Sequence, residues 1–110
     1  MSYWVHILDK DGESVKEFNY TSNVRHMFVK AFGHRDGIRC LTGFTAYSAT
    51  SILDRTIIKM ERAPLKYQKL EPSNGWGDYE SCMNFLREIL KECYELGVQR
   101  GNEHSLAVHS

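Results

Sequence analysis

The sequence lacks an excess of charge of either sign, and it lacks any long apolar run. Lysine plus arginine number 14, as do aspartate plus glutamate. Nucleic-acid binders normally carry a basic excess, so this balance argues against that class and equally against an acidic DNA mimic. No stretch approaches the roughly 20 apolar residues of a transmembrane helix, and residues 1–11 lack the features of a signal peptide. We therefore expect a soluble, cytoplasmic protein with no membrane partner and no strong nucleic-acid signal.

Cysteine is scarce and odd in number, with only Cys40, Cys82 and Cys93. Cys82 and Cys93 fall on one predicted helix, about 16 Å apart along its axis, which is too far for a disulfide bond between them. Three reduced and mostly buried thiols are the simplest interpretation. Cys40 alone has a basic neighbour, and His34 is near it in sequence, but a free structural thiol is favoured over a catalytic nucleophile.

Recognisable catalytic and metal-binding motifs are absent as well. The five histidines include no pair one helical turn apart, and no Cys-x-x-Cys is present. His104 and His109 lie in a tail whose spacing suits no tight metal-binding loop. The glycines match neither the Walker nor the dinucleotide spacing. These absences predict no metal, no cofactor and no catalytic residue, and they leave an enzymatic function without positive support.

What is present is enough apolar sequence, 42% of 110 residues, to close one core in a single domain spanning residues 1–110. Residues 3–8 alternate apolar and polar positions, Asp11-Gly12 is a strong hairpin turn signal, and residues 14–20 return as a second strand. The sequence therefore predicts an N-terminal β-hairpin.

Helical spacing follows the hairpin. A cluster of capping residues precedes a helix over 24–32 that ends at Gly33, and residues 34–43 are predicted to form a loop. A second helix follows Thr45 and is stopped by Pro64, after which a short helical turn is expected. We expect these helices to pack on one face of the sheet.

Asp78 is predicted to cap the last and clearest helix, whose apolar stripe includes Cys82 and Cys93, with Gly97 as its stop. The tail over 103–110 alternates apolar and polar residues, which predicts a third strand pairing with the hairpin. The predicted fold class is α+β, with a small antiparallel sheet and about three helices on one face.

Two polar segments contain more special residues than a scaffold requires. They are Asn19–Asn23, where strand meets helix, and Asn74–Tyr79, in which Gly75 and Gly77 flank Trp76. Two glycines beside a tryptophan imply a tight turn that holds the indole in one place. We favour the interpretation that Trp76 plugs one end of the core over the alternative that it covers a ligand site.

The same segments carry a family resemblance. The chain resembles a family of short uncharacterised proteins from bacteriophage, prophage and bacterial genomes, which share an Asn-x-Thr-x-Asn step and a Pro-x-Asn-Gly-Trp-Gly-x-Tyr-Glu turn. Here these motifs are residues 19–23 and 72–80, and the similarity spans roughly residues 3–95 in order and spacing. Many relatives carry histidine where this chain has Ser22. The resemblance implies a genomic context and no established activity.

That context leads to a first functional hypothesis. The protein would be an accessory protein of a phage or mobile element that binds and modulates, or inhibits, a host protein or complex such as a defence component. Exposed aromatic side chains would supply the affinity, because aromatic anchors dominate interface energetics. The candidate partner-binding residues are Trp4, Phe44, Tyr47 and Tyr67. Self-association is left open.

The alternative hypothesis is a small-ligand-binding module. Thr21, Asn23, Asn74 and Trp76 would line a polar pocket with an aromatic lid, and a nucleotide-like ligand would suit the indole. Exposed apolar surface would favour the first hypothesis. A pocket between the two motifs would favour the second.

Overall fold

The computed structural model describes residues 2–110 and contains a three-stranded antiparallel sheet. Its strands lie in the order β2-β1-β3: β1 (Ser2–Leu8), β2 (Ser14–Thr21) and β3 (Ser105–His109). The helices are α1 (Arg25–Phe32), α2 (Ala46–Arg62), α3 (Pro64–Gln68) and α4 (Tyr79–Arg100), with short 3-10 helices at Ser22–Val24 and Gly37–Leu41. The predicted α+β architecture, including the third strand from the tail, is confirmed.

Strict alternation along β1 separates the two faces of the sheet. Tyr3, Val5 and Ile7 are buried under the helices, whereas Trp4 and His6 point to the opposite face. A strand places successive side chains on opposite faces, so one apolar set is enough to fix which face meets the core. The outer face of the sheet therefore carries polar and aromatic side chains that the helices do not cover.

The two edges of the sheet differ. Beside β3, the chain over 42–45 runs antiparallel to it: the Leu106 amide donates to the Phe44 carbonyl at 2.9 Å, and the Gly43 amide donates to the Leu106 carbonyl at 2.9 Å. The β2 edge carries exposed charged side chains, including Lys16 and Glu17. Charges on an open edge discourage pairing with another chain.

The helices pack together as the apolar stripes predict. Thr45 caps α2 by accepting a hydrogen bond from the Ser48 amide at 3.1 Å. Most of the α4 stripe is buried, and Cys82, Leu86, Ile89 and Cys93 have no exposed surface. No helix in the part of the chain that the structure describes is long and apolar enough to cross a membrane.

Two local predictions were wrong. Helix α4 does not stop at Gly97 but continues to Arg100, because Gly97 lies against α2: a Cβ there would be 3.1 Å from the Tyr47 Cα. The predicted loop over 34–43 contains a 3-10 helix whose Ile38 and Leu41 are fully buried, so it is part of the core.

Candidate functional site

A polar cleft of about 700 Å³ lies between the end of the hairpin and the turn that precedes α4. It is lined by Ser2, Asn19, Tyr20, Thr21, Asn23, Asn74, Trp76, Gly77 and Ser81. All four residues predicted to bind a ligand are among them, although two precede α1 and two follow α3. The fold thus brings the two polar segments together in one place.

The hairpin side of the polar cleft is held by hydrogen bonds that leave side-chain groups free. Asn19 donates through Nδ2 to the Tyr3 carbonyl at 3.0 Å, so its Oδ1 remains available as an acceptor. Thr21 accepts from the Asn23 amide through Oγ1 at 3.3 Å and caps the first 3-10 helix. Within residues 2–110 the Asn23 side-chain amide has no partner, and it is exposed.

The turn side is fixed by Asn74 and Gly77. Asn74 accepts from the Trp76 amide through Oδ1 at 2.9 Å, which leaves its Nδ2 free to donate. Gly77 has φ +98°, and a Cβ there would lie 2.8 Å from methyl groups of Thr21 and Val24. The turn is therefore seated against the hairpin end by a residue that has no side chain.

The prediction that Trp76 plugs the core was wrong. Its side chain is 68% exposed and lines the polar cleft. The core at this end is closed by the close approach of Gly77 to the hairpin, so the indole is not needed as a plug. The turn fixes the backbone of Trp76 while its ring stays open to solvent.

Tyr20 is a half-buried residue of the polar cleft. Its hydroxyl forms a 2.5 Å hydrogen bond with Ser81 Oγ, and its ring stacks on Phe85 with centroids 5.0 Å apart. Burial raises the pKa of Tyr20 to about 12, so the phenol is neutral at physiological pH. Among residues 2–110, no lysine, arginine, aspartate or glutamate lines the polar cleft.

Asp78 caps α4, as predicted. Its carboxylate accepts from the Ser81 amide at 2.8 Å, and Ser81 Oγ in turn accepts from the Asp78 amide at 3.3 Å. Hydrogen bonding of the carboxylate, first by the Ser81 amide and then by the Ser81 side chain, lowers the pKa of Asp78. The Asp78 carboxylate is thus held at the N-terminus of α4, where the helix dipole favours a negative charge.

Ser2 and Ser81 also line the polar cleft and were not predicted as site residues. Both carried a usable signal. Ser81 stands three residues after the predicted cap, where a capping box reaches back. Ser2 faces Thr21 across the hairpin, so extending the strand pairing by one residue places it at the rim.

The predicted partner-binding residues do not form one patch. Trp4, Phe44 and Tyr47 are exposed at 37%, 41% and 62%, but Trp4 pairs with His109 at one end of β3, whereas Phe44 bonds to Leu106 near its other end. The prediction that Tyr67 is an exposed partner-binding residue was wrong: Tyr67 is 2% exposed, because α3 directs its ring into the core.

A second exposed apolar group was missed on α4. Tyr94 and Val98 are 63% and 67% exposed and lie one helical turn apart, next to the Gly97 position that contacts Tyr47. We call Tyr47, Tyr94 and Val98 the helical patch. Helical spacing would have placed Tyr94 and Val98 together on the solvent side of the last helix.

The thiols do not form a catalytic pair. Burial raises the pKa values of Cys82 and Cys93 to about 12. Burial and the Asp36 carboxylate also raise the pKa of Cys40, and His34 accepts a hydrogen bond from the Asp36 amide rather than contacting Cys40. A nucleophile needs a lowered pKa, so the Cys40–His34 hypothesis gains nothing from this arrangement.

Comparisons with known proteins identified no relative of this chain. No family model matches the chain, and neither the search of curated proteins nor the search of solved structures gave a match. The resemblance to the phage, prophage and bacterial family therefore stays a prediction.

Proposed function

We propose that the protein is a small-ligand-binding module and that its polar cleft takes a neutral, planar ligand of the nucleobase or nucleoside type. One observation carries the proposal: the exposed indole of Trp76 and the side-chain amides of Asn19, Asn23 and Asn74 line the same cleft, and each amide keeps at least one unbonded polar atom. Ligand sites commonly combine an apolar surface with a few converging polar groups that fix orientation.

The chemistry of the lining matches a base better than a purely apolar ligand. Stacking of a base on an aromatic side chain contributes about 1–3 kcal/mol to binding, whichever base it is. A carboxamide offers both a donor and an acceptor, so it can pair with the edge of a base. Asn19 keeps an acceptor, Asn74 keeps a donor, and Asn23 keeps both.

The lining of the polar cleft within residues 2–110 has no charged side chains, which favours recognition of the base over recognition of the phosphates. Phosphate recognition relies on arginine, lysine or several backbone amides pointing at the anion. None of the cationic side chains of residues 2–110 lines the polar cleft. The proposal therefore predicts that a nucleoside binds at least as well as the corresponding triphosphate.

Calorimetric titration of the purified protein with nucleosides, their triphosphates and short single-stranded oligonucleotides would test this. We expect binding of at least one nucleoside. Trp76→Ala should weaken it roughly 5- to 140-fold, because the lost stacking corresponds to about 1–3 kcal/mol.

Trp4→Ala is the matched control, since Trp4 is also partly exposed but lies outside the lining. It should leave nucleoside affinity unchanged. If no nucleoside binds, or if both tryptophan variants lose affinity equally, the proposal is wrong. Tighter binding of oligonucleotides than of any nucleoside would move the function to single-stranded nucleic acid.

A second candidate is the binding of a host macromolecule such as a defence component. The helical patch favours it, because three large side chains there are each more than 60% exposed. A pull-down from bacterial lysate should then capture a protein that the double variant Tyr47→Ala, Tyr94→Ala does not capture. The captured protein, once purified, should bind the unmodified chain and not the double variant. Equal capture by the unmodified protein and the double variant would rule out the helical patch as the binding surface.

A further inference from the structure

Two histidines that are 103 positions apart in the chain meet on the outer face of the sheet. His6 on β1 and His109 on β3 place their Nε2 atoms 3.2 Å apart. The ring planes differ by only 12° and the ring centroids are 5.3 Å apart, so the nitrogen-bearing edges face each other. Neither histidine belongs to the polar cleft.

Hydrogen bonds on the far side of His6 determine which of its nitrogens has a lone pair. His6 Nδ1 lies 3.1 Å from Ser14 Oγ, and that hydroxyl donates its hydrogen to the Lys16 carbonyl at 3.4 Å. Ser14 is thus placed to accept from His6, and the Glu17 carboxylate, 3.6 Å from Nδ1, favours the same direction. These neighbours favour the tautomer of neutral His6 that has its hydrogen on Nδ1 and a lone pair on Nε2.

His109 is less constrained. Its side chain is exposed, and the only hydrogen bond of its ring within residues 2–110 is the one to His6. In the neutral form its hydrogen can move through solvent from Nε2 to Nδ1. Both Nε2 atoms then have lone pairs, and the two atoms lie 3.2 Å apart.

We propose that His6 and His109 form a binding site for a divalent first-row transition metal ion, of which Zn²⁺ is the simplest probe. With metal–nitrogen distances of about 2.0–2.1 Å, two ligands of a tetrahedral ion lie about 3.3 Å apart. Two adjacent ligands of a square-planar or octahedral ion at the same metal–nitrogen distance lie about 2.9 Å apart. The observed 3.2 Å lies between these values.

The surroundings fit a transition metal better than Mg²⁺ or Ca²⁺. Imidazole nitrogen suits zinc, copper and nickel, whereas the hard cations prefer oxygen ligands. The Ser14 hydroxyl acts as the outer partner that orients a metal-binding imidazole. Within residues 2–110 no three histidine, cysteine or acidic residues gather as a metal cluster, so water would complete the coordination.

The test is calorimetric titration of chelator-treated protein, prepared without a polyhistidine tag, with ZnCl₂. We expect one ion per chain. His6→Ala and His109→Ala should each weaken the binding at least tenfold, since each removes one of the two protein ligands. Ser14→Ala keeps both ligands but loses the orienting acceptor, and should weaken Zn²⁺ binding about tenfold.

His26→Ala is the matched control, because His26 is an exposed histidine on α1. It should bind Zn²⁺ like the unmodified protein. Circular dichroism should give the same spectrum for all four variants, which separates lost ligands from lost folding. No Zn²⁺ binding by the unmodified protein, or binding that survives in His109→Ala, would overturn the proposal.

Discussion

The inner face of the sheet and the turn over 74–78 are both well defined, but by different means. On the inner face, Val5 and Ile7 are fully buried and held by packing. In the turn, Trp76 is 68% exposed. Its position comes from the hydrogen bond that its amide donates to Asn74 Oδ1 and from the close approach of Gly77 to the hairpin. Order in a protein therefore does not require burial of the ordered side chain.

Residues of the inner face and of the turn are therefore expected to contribute to different properties, the former to stability and the latter to binding. A buried side chain contributes through the apolar area that it removes from water and the contacts that it makes. An exposed side chain on a fixed backbone contributes little to folding, but it can meet a ligand without a large ordering cost. We therefore expect substitutions on the inner face to affect folding, and side-chain substitutions in the turn to affect binding.

The largest effect should come from Ile7→Ala. Removing a fully buried branched side chain costs about 2–5 kcal/mol. The melting temperature should then fall by at least about 8 °C. Trp76→Ala removes a larger side chain, yet it should cost less than about 1 kcal/mol and leave the melt within a few degrees of the unmodified protein. Thermal denaturation followed by circular dichroism measures both, and a larger loss for Trp76→Ala would break the comparison.

An intermediate effect is expected from Gly77→Ala. The added methyl would meet Thr21 and Val24 at 2.8 Å in a backbone conformation that is already unfavourable for alanine, so we expect a loss of about 2–3 kcal/mol. Gly75→Ala is the matched control: it has φ +77° but nothing within 4 Å of an added Cβ, and should cost only about 1 kcal/mol. Chemical denaturation gives both values. Equal losses would mean that the turn is not seated on the hairpin.

The smallest of the three effects concerns Asp78→Ala, which removes the α4 cap at a cost of about 1 kcal/mol near pH 7. Hydrogen bonds lower the folded-state pKa of Asp78 below its ordinary 3.8, so its contribution is present above that value and lost as the pH falls through the folded-state pKa. The stability difference between the two proteins should therefore shrink below about pH 4. Urea denaturation at several pH values measures it, and a difference that grows on acidification would contradict this assignment.

The fold could be predicted where the signal is local. Alternation over 3–8, the Asp11-Gly12 turn and the Thr45 cap each act within a few residues, and all three are found in the structure. Gly97 misled because glycine is a stop signal in isolation, whereas here it allows α2 to approach α4. That requirement comes from a residue fifty positions away, which a local pattern does not contain.

The site could be predicted in part for the same reason. Its polar and glycine-rich composition identified the two segments, but not which neighbour in Trp76-Gly77 fills the space against the hairpin. The His6–His109 pair depends on the register between β1 and β3, and no spacing within either segment reveals it. Tyr67 was predicted to be exposed because a short helical turn gives too few residues for a clear periodicity.

The central position of β1 has a consequence for biosynthesis. One neighbour, β2, follows β1 directly, but the other, β3, consists of residues 105–109. At about 5–20 residues per second, the ribosome needs roughly 4 to 17 seconds to add the chain between β2 and β3. During that interval one edge of β1 has no partner, and the core lacks Leu106 and Val108. The nascent hairpin is thus most open to misassociation or chaperone capture before β3 is made.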